Sequence, residues 1–163
     1  MSPQPPGNGQ LARHELGPAV ETLTRVARIL ERASGELSLS HYRVLTMVAA
    51  GDGRASRLAE RLALGKPAIS AAVDSLVKRG MLSRSGEDPD RRATRLEITT
   101  SGRGALAACE SAMADALAEL LRHTEDVPPI LRALEDLSLA LSRRQRNRET
   151  EASAATHPTA AQQ

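Results

Sequence analysis

The chain has 163 residues, 40% of them hydrophobic and 26% charged, with a formal net charge of +2. That balance suits a globular domain rather than a disordered or fibrous chain, and no apolar run approaches the roughly 20 residues of a membrane span. A single cysteine, Cys109, excludes an internal disulfide framework, and residues 1–10 lack the basic-then-apolar order of a signal peptide, so a cytoplasmic location is expected.

Aromatic side chains are nearly absent, with one Tyr and no Phe or Trp. The core therefore has to be built from Leu, Ala, Val and Ile, a composition that favours helices. Residues 1–10 are polar and rich in Pro and Gly, and a disordered tail is expected there. The spacing of Val20, Leu23, Ala27 and Leu30 predicts a first helix over about 18–34, closed by Gly35. A second helix is expected with Ser40 as its N-cap, carrying Val44, Leu45 and Val48 and ending at Gly51-Asp52-Gly53. Ser56 is placed to cap a third helix, with Leu58, Ala59 and Leu62 inward and Ala63-Leu64-Gly65 as the turn. Pro67 suits the first turn of a fourth helix over 66–79, whose inward stripe is Ile69, Ala72, Val73, Leu76 and Val77 and whose stop is Gly80.

Residues 81–85 and 94–99 read as the strands of a hairpin with an extended tip containing Asp88-Pro89-Asp90. A long helix over 101–122 follows, with Leu106, Cys109, Met113, Leu117 and Leu120 or Leu121 on one face. The last helix is expected to reach about Arg148, carrying Leu131, Leu134, Leu137 (or Ser138) and Leu141. It finishes in Arg143, Arg144, Arg146 and Arg148, cations suited to a helix C-terminus. Residues 148–163 are expected to form a second disordered tail.

Charge is unevenly spread. Residues 54–103 hold 11 lysines and arginines against 6 acids, whereas the remainder holds 11 against 14. The positive field thus coincides with the two short helices and the hairpin, where a phosphate-contacting surface would need it. Other chemistries find little support. His14, His41, His123 and His157 show no i, i+4 pairing, so no metal site is expected. Gly65-Lys66 fails as a phosphate-binding loop because Glu60 and Pro67 stand where Gly and Ser or Thr are required. No catalytic set stands at a convincing spacing, and Cys109 on an apolar stripe reads as a small buried hydrophobe rather than a redox sensor.

Three stretches carry a family resemblance: Leu39-Ser40-His41-Tyr42-Arg43-Val44-Leu45; Ser56-Arg57-Leu58-Ala59-Glu60-Arg61-Leu62 with Lys66-Pro67-Ala68-Ile69-Ser70 and Gly80; and Asp90-Arg91-Arg92 with Leu96-Glu97-Ile98-Thr99-Thr100-Ser101-Gly102. They resemble the opening of the second helix, the helix-turn-helix, and the wing with its return strand in the multiple-antibiotic-resistance regulator (MarR) family of bacterial winged-helix transcription factors. The resemblance spans about residues 12–147.

It implies a mainly α fold with a small β-hairpin wing. A winged helix-turn-helix over 38–103 would be flanked by dimerisation helices at 11–37 and 104–147, within a domain of residues 11–147. It further implies a homodimeric repressor that binds double-stranded DNA at a pseudo-palindromic operator through recognition helix 66–79 and wing 84–95. The resemblance leaves room for release by a small-molecule effector, and it implies no cofactor, no enzymatic activity and no membrane partner. Residues expected at DNA are Ser56, Lys66, Ala68, Ser70, Ala71, Ser75, Lys78, Arg84, Asp90, Arg91, Arg92 and Arg95. Those expected at the dimer interface are Leu16, Val20, Leu23, Leu117, Leu121, Leu131, Leu134, Leu137 and Leu141.

At the wing tip, Arg92 suits the negative potential of a narrow minor groove, and Asp90 is placed to hold its guanidinium. The fourth helix departs from the family by offering no arginine for a bidentate guanine contact. That departure leaves an alternative open, a winged-helix protein-interaction module with weak or non-specific DNA binding.

Overall fold

The computed structural model describes residues 13–62, 65–85 and 95–156. The expected tail at 1–10, the turn at Ala63-Leu64, the hairpin tip with Asp88-Pro89-Asp90 and the end of the second tail lie outside them. The chain divides into two units, Met1–Ala118 and Glu119–Gln163. Among the described residues, no helix is long and apolar enough to cross a membrane.

In the first unit, α1 (Arg13–Ala33) begins earlier than the expected start at Pro18 and carries that proline inside its N-terminal part. A proline there forfeits one hydrogen bond near an exposed end, a smaller loss than a mid-helix break. Gly35, at φ 67°, takes the left-handed conformation that ends the helix. Helix α2 (Leu39–Ala49) is capped by Ser38 and not by Ser40. Ser38 has the extended backbone an N-cap requires, and its Oγ accepts a hydrogen bond from the His41 amide at 3.2 Å. Helix α3 (Ala55–Leu62) begins one residue before Ser56, so Ser56 is not its cap, and the Arg54 carbonyl accepts the first bond, from Leu58. Helix α4 (Lys66–Lys78) has Gly65 as N-cap with Pro67 in its first turn, and it ends before Gly80 at φ 70°.

Strands β1 (Leu82–Ser85) and β2 (Arg95–Ile98) pair antiparallel with Leu82 opposite Ile98 and Ser85 opposite Arg95. In β2, Leu96 and Ile98 are buried while Arg95 and Glu97 are exposed, the alternation of a strand with one covered face. Leu37, Val44, Leu45, Leu58, Ile69, Leu76, Leu82 and Leu96 meet in one core with Leu106, Cys109 and Met113 of α5 (Thr100–Leu121).

Two glycines allow the backbone contacts that close this core. A Cβ on Gly53 would collide with the Leu96 carbonyl oxygen, and one on Gly102 would collide with that of Met81. Gly53 instead approaches closely enough for its own carbonyl to accept from the Leu96 amide at 2.8 Å. Thr99 joins three elements. Its Oγ1 donates to the Gly80 carbonyl at 2.7 Å, after the end of α4, and accepts from the Gly102 amide at 3.0 Å, capping α5.

In the second unit, α6 (Val127–Thr156) runs past its expected end near Arg148. Arg143, Arg144, Arg146 and Arg148 therefore stand within the helix, and complementing its C-terminus is not their role. Alanine and glutamate in the last two turns have the helix propensity to continue it, although no apolar periodicity marks them. Leu131, Leu134, Leu137 and Leu141 are exposed on α6. Val127, Ile130, Leu134, Leu137 and Leu141 alternate three- and four-residue steps, the spacing of a helix seam.

Candidate nucleic-acid interface

Helix α4 turns Ile69, Ala72, Val73 and Leu76 into the core, which fixes its opposite face toward solvent. Ala68, Ser70, Ala71, Asp74 and Lys78 are exposed there and Ser75 is half-buried. The backbones of Ser56 and Lys66 lie in the first turns of α3 and α4, while their side chains fall outside the described residues. Asp90, Arg91 and Arg92 fall outside them entirely. Arg84 and Arg95, at the two feet of the wing, are exposed.

The structure brings Arg84 onto the exposed face of α4. Its Nη2 lies 2.5 Å from an Asp74 carboxylate oxygen, with both side chains more than half exposed. One arginine absent from α4 in sequence is thereby presented beside it by β1, in an orientation that a carboxylate partner restricts. Nothing in the spacing of these two residues announces the pair. The C-terminal end of α4 is fastened by Arg79, whose guanidinium donates to the Glu36 carbonyl at 3.2 Å and to its carboxylate at 3.3 Å.

At the start of α3, Asp52 pairs with Arg61 and lies 3.8 Å from Arg57. Arg54 forms a bridge with Arg95, adding an edge to the wing sheet. Gly51, Asp52 and Gly53 join Arg54, Arg57 and Arg95 around a concavity of about 210 Å³. Arg54 and Arg57 are not among the residues expected at DNA. Their only signal in sequence is a basic flank on a short helix.

Seven of the nine expected dimerisation residues are exposed. Leu16, Val20 and Leu23 on α1 are exposed, and so are Leu131, Leu134, Leu137 and Leu141 on α6, while Leu117 and Leu121 on α5 are half-buried. Elsewhere in the first unit, a cavity of about 290 Å³ is lined by Ala33, Leu37, Arg79, Met81, Ala105 and Cys109, among others. The Cys109 thiol is buried, and its pKa is raised by burial and then by Glu110, which disfavours a reactive thiolate. His41 is half-buried with its Nδ1 unpartnered, and its pKa is lowered by desolvation and then by Arg79. Among the described residues, no group of three or more His, Cys, Asp or Glu is placed to hold a metal ion.

Comparison with known proteins fits this architecture. Residues 36–93 match the model of the MarR family, whereas no curated protein matches the chain. The fold resembles the transcriptional regulator BldR from Sulfolobus solfataricus, with a TM-score of 0.63 and 27% identity over 82% of this chain and 99% of that one. It also resembles a mutant of Escherichia coli MarR complexed with operator DNA, with a TM-score of 0.63 and 20% identity over 78% and 93% of the two chains. A Mycobacterium tuberculosis MarR family protein in complex with salicylic acid gives a TM-score of 0.56 and 21% identity over 76% and 96%. The stretch from residue 36 to residue 93, which holds the helix-turn-helix and the first strand of the wing, thus resembles the MarR family within a fold that these regulators share.

Proposed function

We propose that this protein is a homodimeric, DNA-binding transcriptional repressor. The observation that carries the proposal is the outward face of α4, held open to solvent by four buried residues and flanked by the exposed feet of the wing. A recognition helix in the major groove and a wing in the adjacent minor groove require that pairing. The E. coli relative bound to operator DNA supports it. Dimerisation is supported by the exposed leucines of α1 and of α6, since patches of this kind mark surfaces that another chain covers. Two copies would place two recognition helices on a pseudo-palindromic operator.

Release by a small molecule is part of the proposal. The cavity beside Arg79 is lined by several alanines and by Glu36, whose carboxylate holds the Arg79 guanidinium, so a small anionic ligand would bind there by displacing that carboxylate. Salicylic acid in the mycobacterial relative supports that chemistry. A second reading, a protein-interaction module, is favoured by the alanines and the carboxylate of Asp74 on the α4 face.

Genomic footprinting followed by gel shift on the recovered site tests the proposal. Arg92→Ala is expected to weaken operator binding by on the order of 1–3 kcal/mol, with Asp90→Ala a milder copy and Arg103→Ala without effect. Absence of any duplex binding at low salt defeats the proposal in favour of the interaction module. Equal losses for Arg92→Ala and Arg103→Ala defeat the assignment of the wing.

A further inference from the structure

The concavity at the start of α3 is built against its own electrostatics. Arg54 directly precedes the helix and Arg57 stands in its first turn, so two cations occupy the positive end of the helix dipole. Arg54 also faces Arg95 across the bridge to β2, a pairing of like charges on neighbouring strands. Among the described residues, neither Arg54 nor Arg95 has an acidic partner, and Asp52 is shared between Arg57 and Arg61. A guanidinium has no acceptor, so the side chain of Arg54 does not cap the first-turn amides of α3. The two placements of Arg54 are unfavourable in the isolated chain, and both are relieved by the arrival of an anion, while Asp52, which also lines the concavity, already partners Arg57 and Arg61.

We infer that Arg54, Arg57 and Arg95 form a clamp for a phosphodiester group of the DNA backbone, distinct from the recognition-helix face and the wing tip. The inference rests on the DNA-binding reading above. The first helix of a helix-turn-helix crosses the backbone while the second enters the major groove. A wing in the neighbouring minor groove then leaves one ridge of phosphates between the two. The clamp is assembled from the elements that flank such a ridge: Arg57 from the first helix, Arg95 from the strand returning from the wing, and Arg54 from the segment bridged to that strand. The opening of about 210 Å³ holds the volume of about seven waters, enough for a phosphate group. Gly53 sets the spacing, because its carbonyl bond to Leu96 holds Arg54 and Arg95 side by side. The clamp reads no base, so its contribution is the same on every sequence.

The test is the salt dependence of binding between the full chain and a labelled random-sequence duplex, followed by fluorescence anisotropy. Each lost phosphate contact removes roughly 0.9 from the slope of log K against log salt. Arg57→Gln and Arg95→Gln are each expected to lower the slope by about one, and Arg54→Gln with Arg57→Gln by about two. Arg57→Lys keeps the charge and is expected to keep the slope. Arg132→Gln on α6 serves as the control and is expected to leave it unchanged. Steep salt dependence in the unmodified chain, with the same slope in the glutamine variants, overturns the clamp while leaving DNA binding intact. An Arg57→Lys variant as impaired as Arg57→Gln also overturns it, because that points to structure and not charge. Failure of the unmodified chain to bind the duplex at low salt overturns the DNA-binding reading itself.

Discussion

The helix-turn-helix and α6 are built from similar residues and treat them in opposite ways. In the first, Leu45, Leu58 and Leu76 are fully buried. In the second, Leu137 and Leu141 are 51% and 65% exposed. Burying a leucine is worth about 1.5–3 kcal/mol, so the winged core holds that gain within the chain, whereas α6 leaves much of it unrealised. The exposed part of α1, from Leu16 to Leu23, resembles α6 in this respect, while Leu30 and Ala33 pack against the core. The first region carries its own stability. The others have theirs to gain from a second surface.

Substitutions should separate the two regions in graded steps. The largest effect is expected from Leu45→Ala, a loss of about 2–5 kcal/mol in urea unfolding that does not depend on protein concentration. Gly102→Ala is expected to cost about 1–3 kcal/mol, because the new Cβ meets the Met81 carbonyl at the mouth of α5. A cost near zero would show that this backbone contact gives way easily. On α6, Leu137→Asp is expected to change sedimentation before stability, shifting dimer to monomer at micromolar concentration. A concentration-independent monomer of the unmodified chain would break the comparison, since α6 would then need no partner.

Smaller effects sharpen the winged side. His41 has a folded pKa below its unfolded value of 6.5, so between those two values the unfolded chain binds the extra proton. This contribution to stability is therefore complete above pH 6.5 and is lost as pH falls through the folded pKa. His41→Gln is expected to flatten that part of the melting-temperature profile below pH 6.5. The smallest effect has the opposite sign. Arg54→Gln is expected to stabilise the free chain by a few tenths of a kcal/mol in thermal melts, since it removes a cation from a helix N-terminus and from a like-charged bridge. A clear destabilisation would show that Arg54 is structural.

Periodicity makes the core legible and leaves the joints obscure. The inward stripe of α4 can be read from Ile69, Ala72, Val73 and Leu76 because only one helix face fits them all. Ser38 and Ser40 both have an N-cap side chain, and only backbone geometry decides between them. The end of α6 lies beyond the last apolar repeat because apolar rhythm gives no weight to the helix propensity of alanine. Asp74 and Arg84 belong to different elements, and their meeting depends on the turn after Gly80. Gly53 and Gly102 look like turn signals in sequence, yet what each supplies is the space left by a missing Cβ.

Thr99 has a mechanical consequence. Its hydroxyl is bonded at once to the carbonyl just past the end of α4 and to the first turn of α5. Those two helices are therefore pinned through one oxygen atom, beside the close backbone approach of Gly102 to Met81. At 1.5 Å per residue, the 22 residues of α5 run about 33 Å from that pin. Replacing Thr99 by valine keeps the shape of the pin and removes both bonds, giving the joint play without emptying the core.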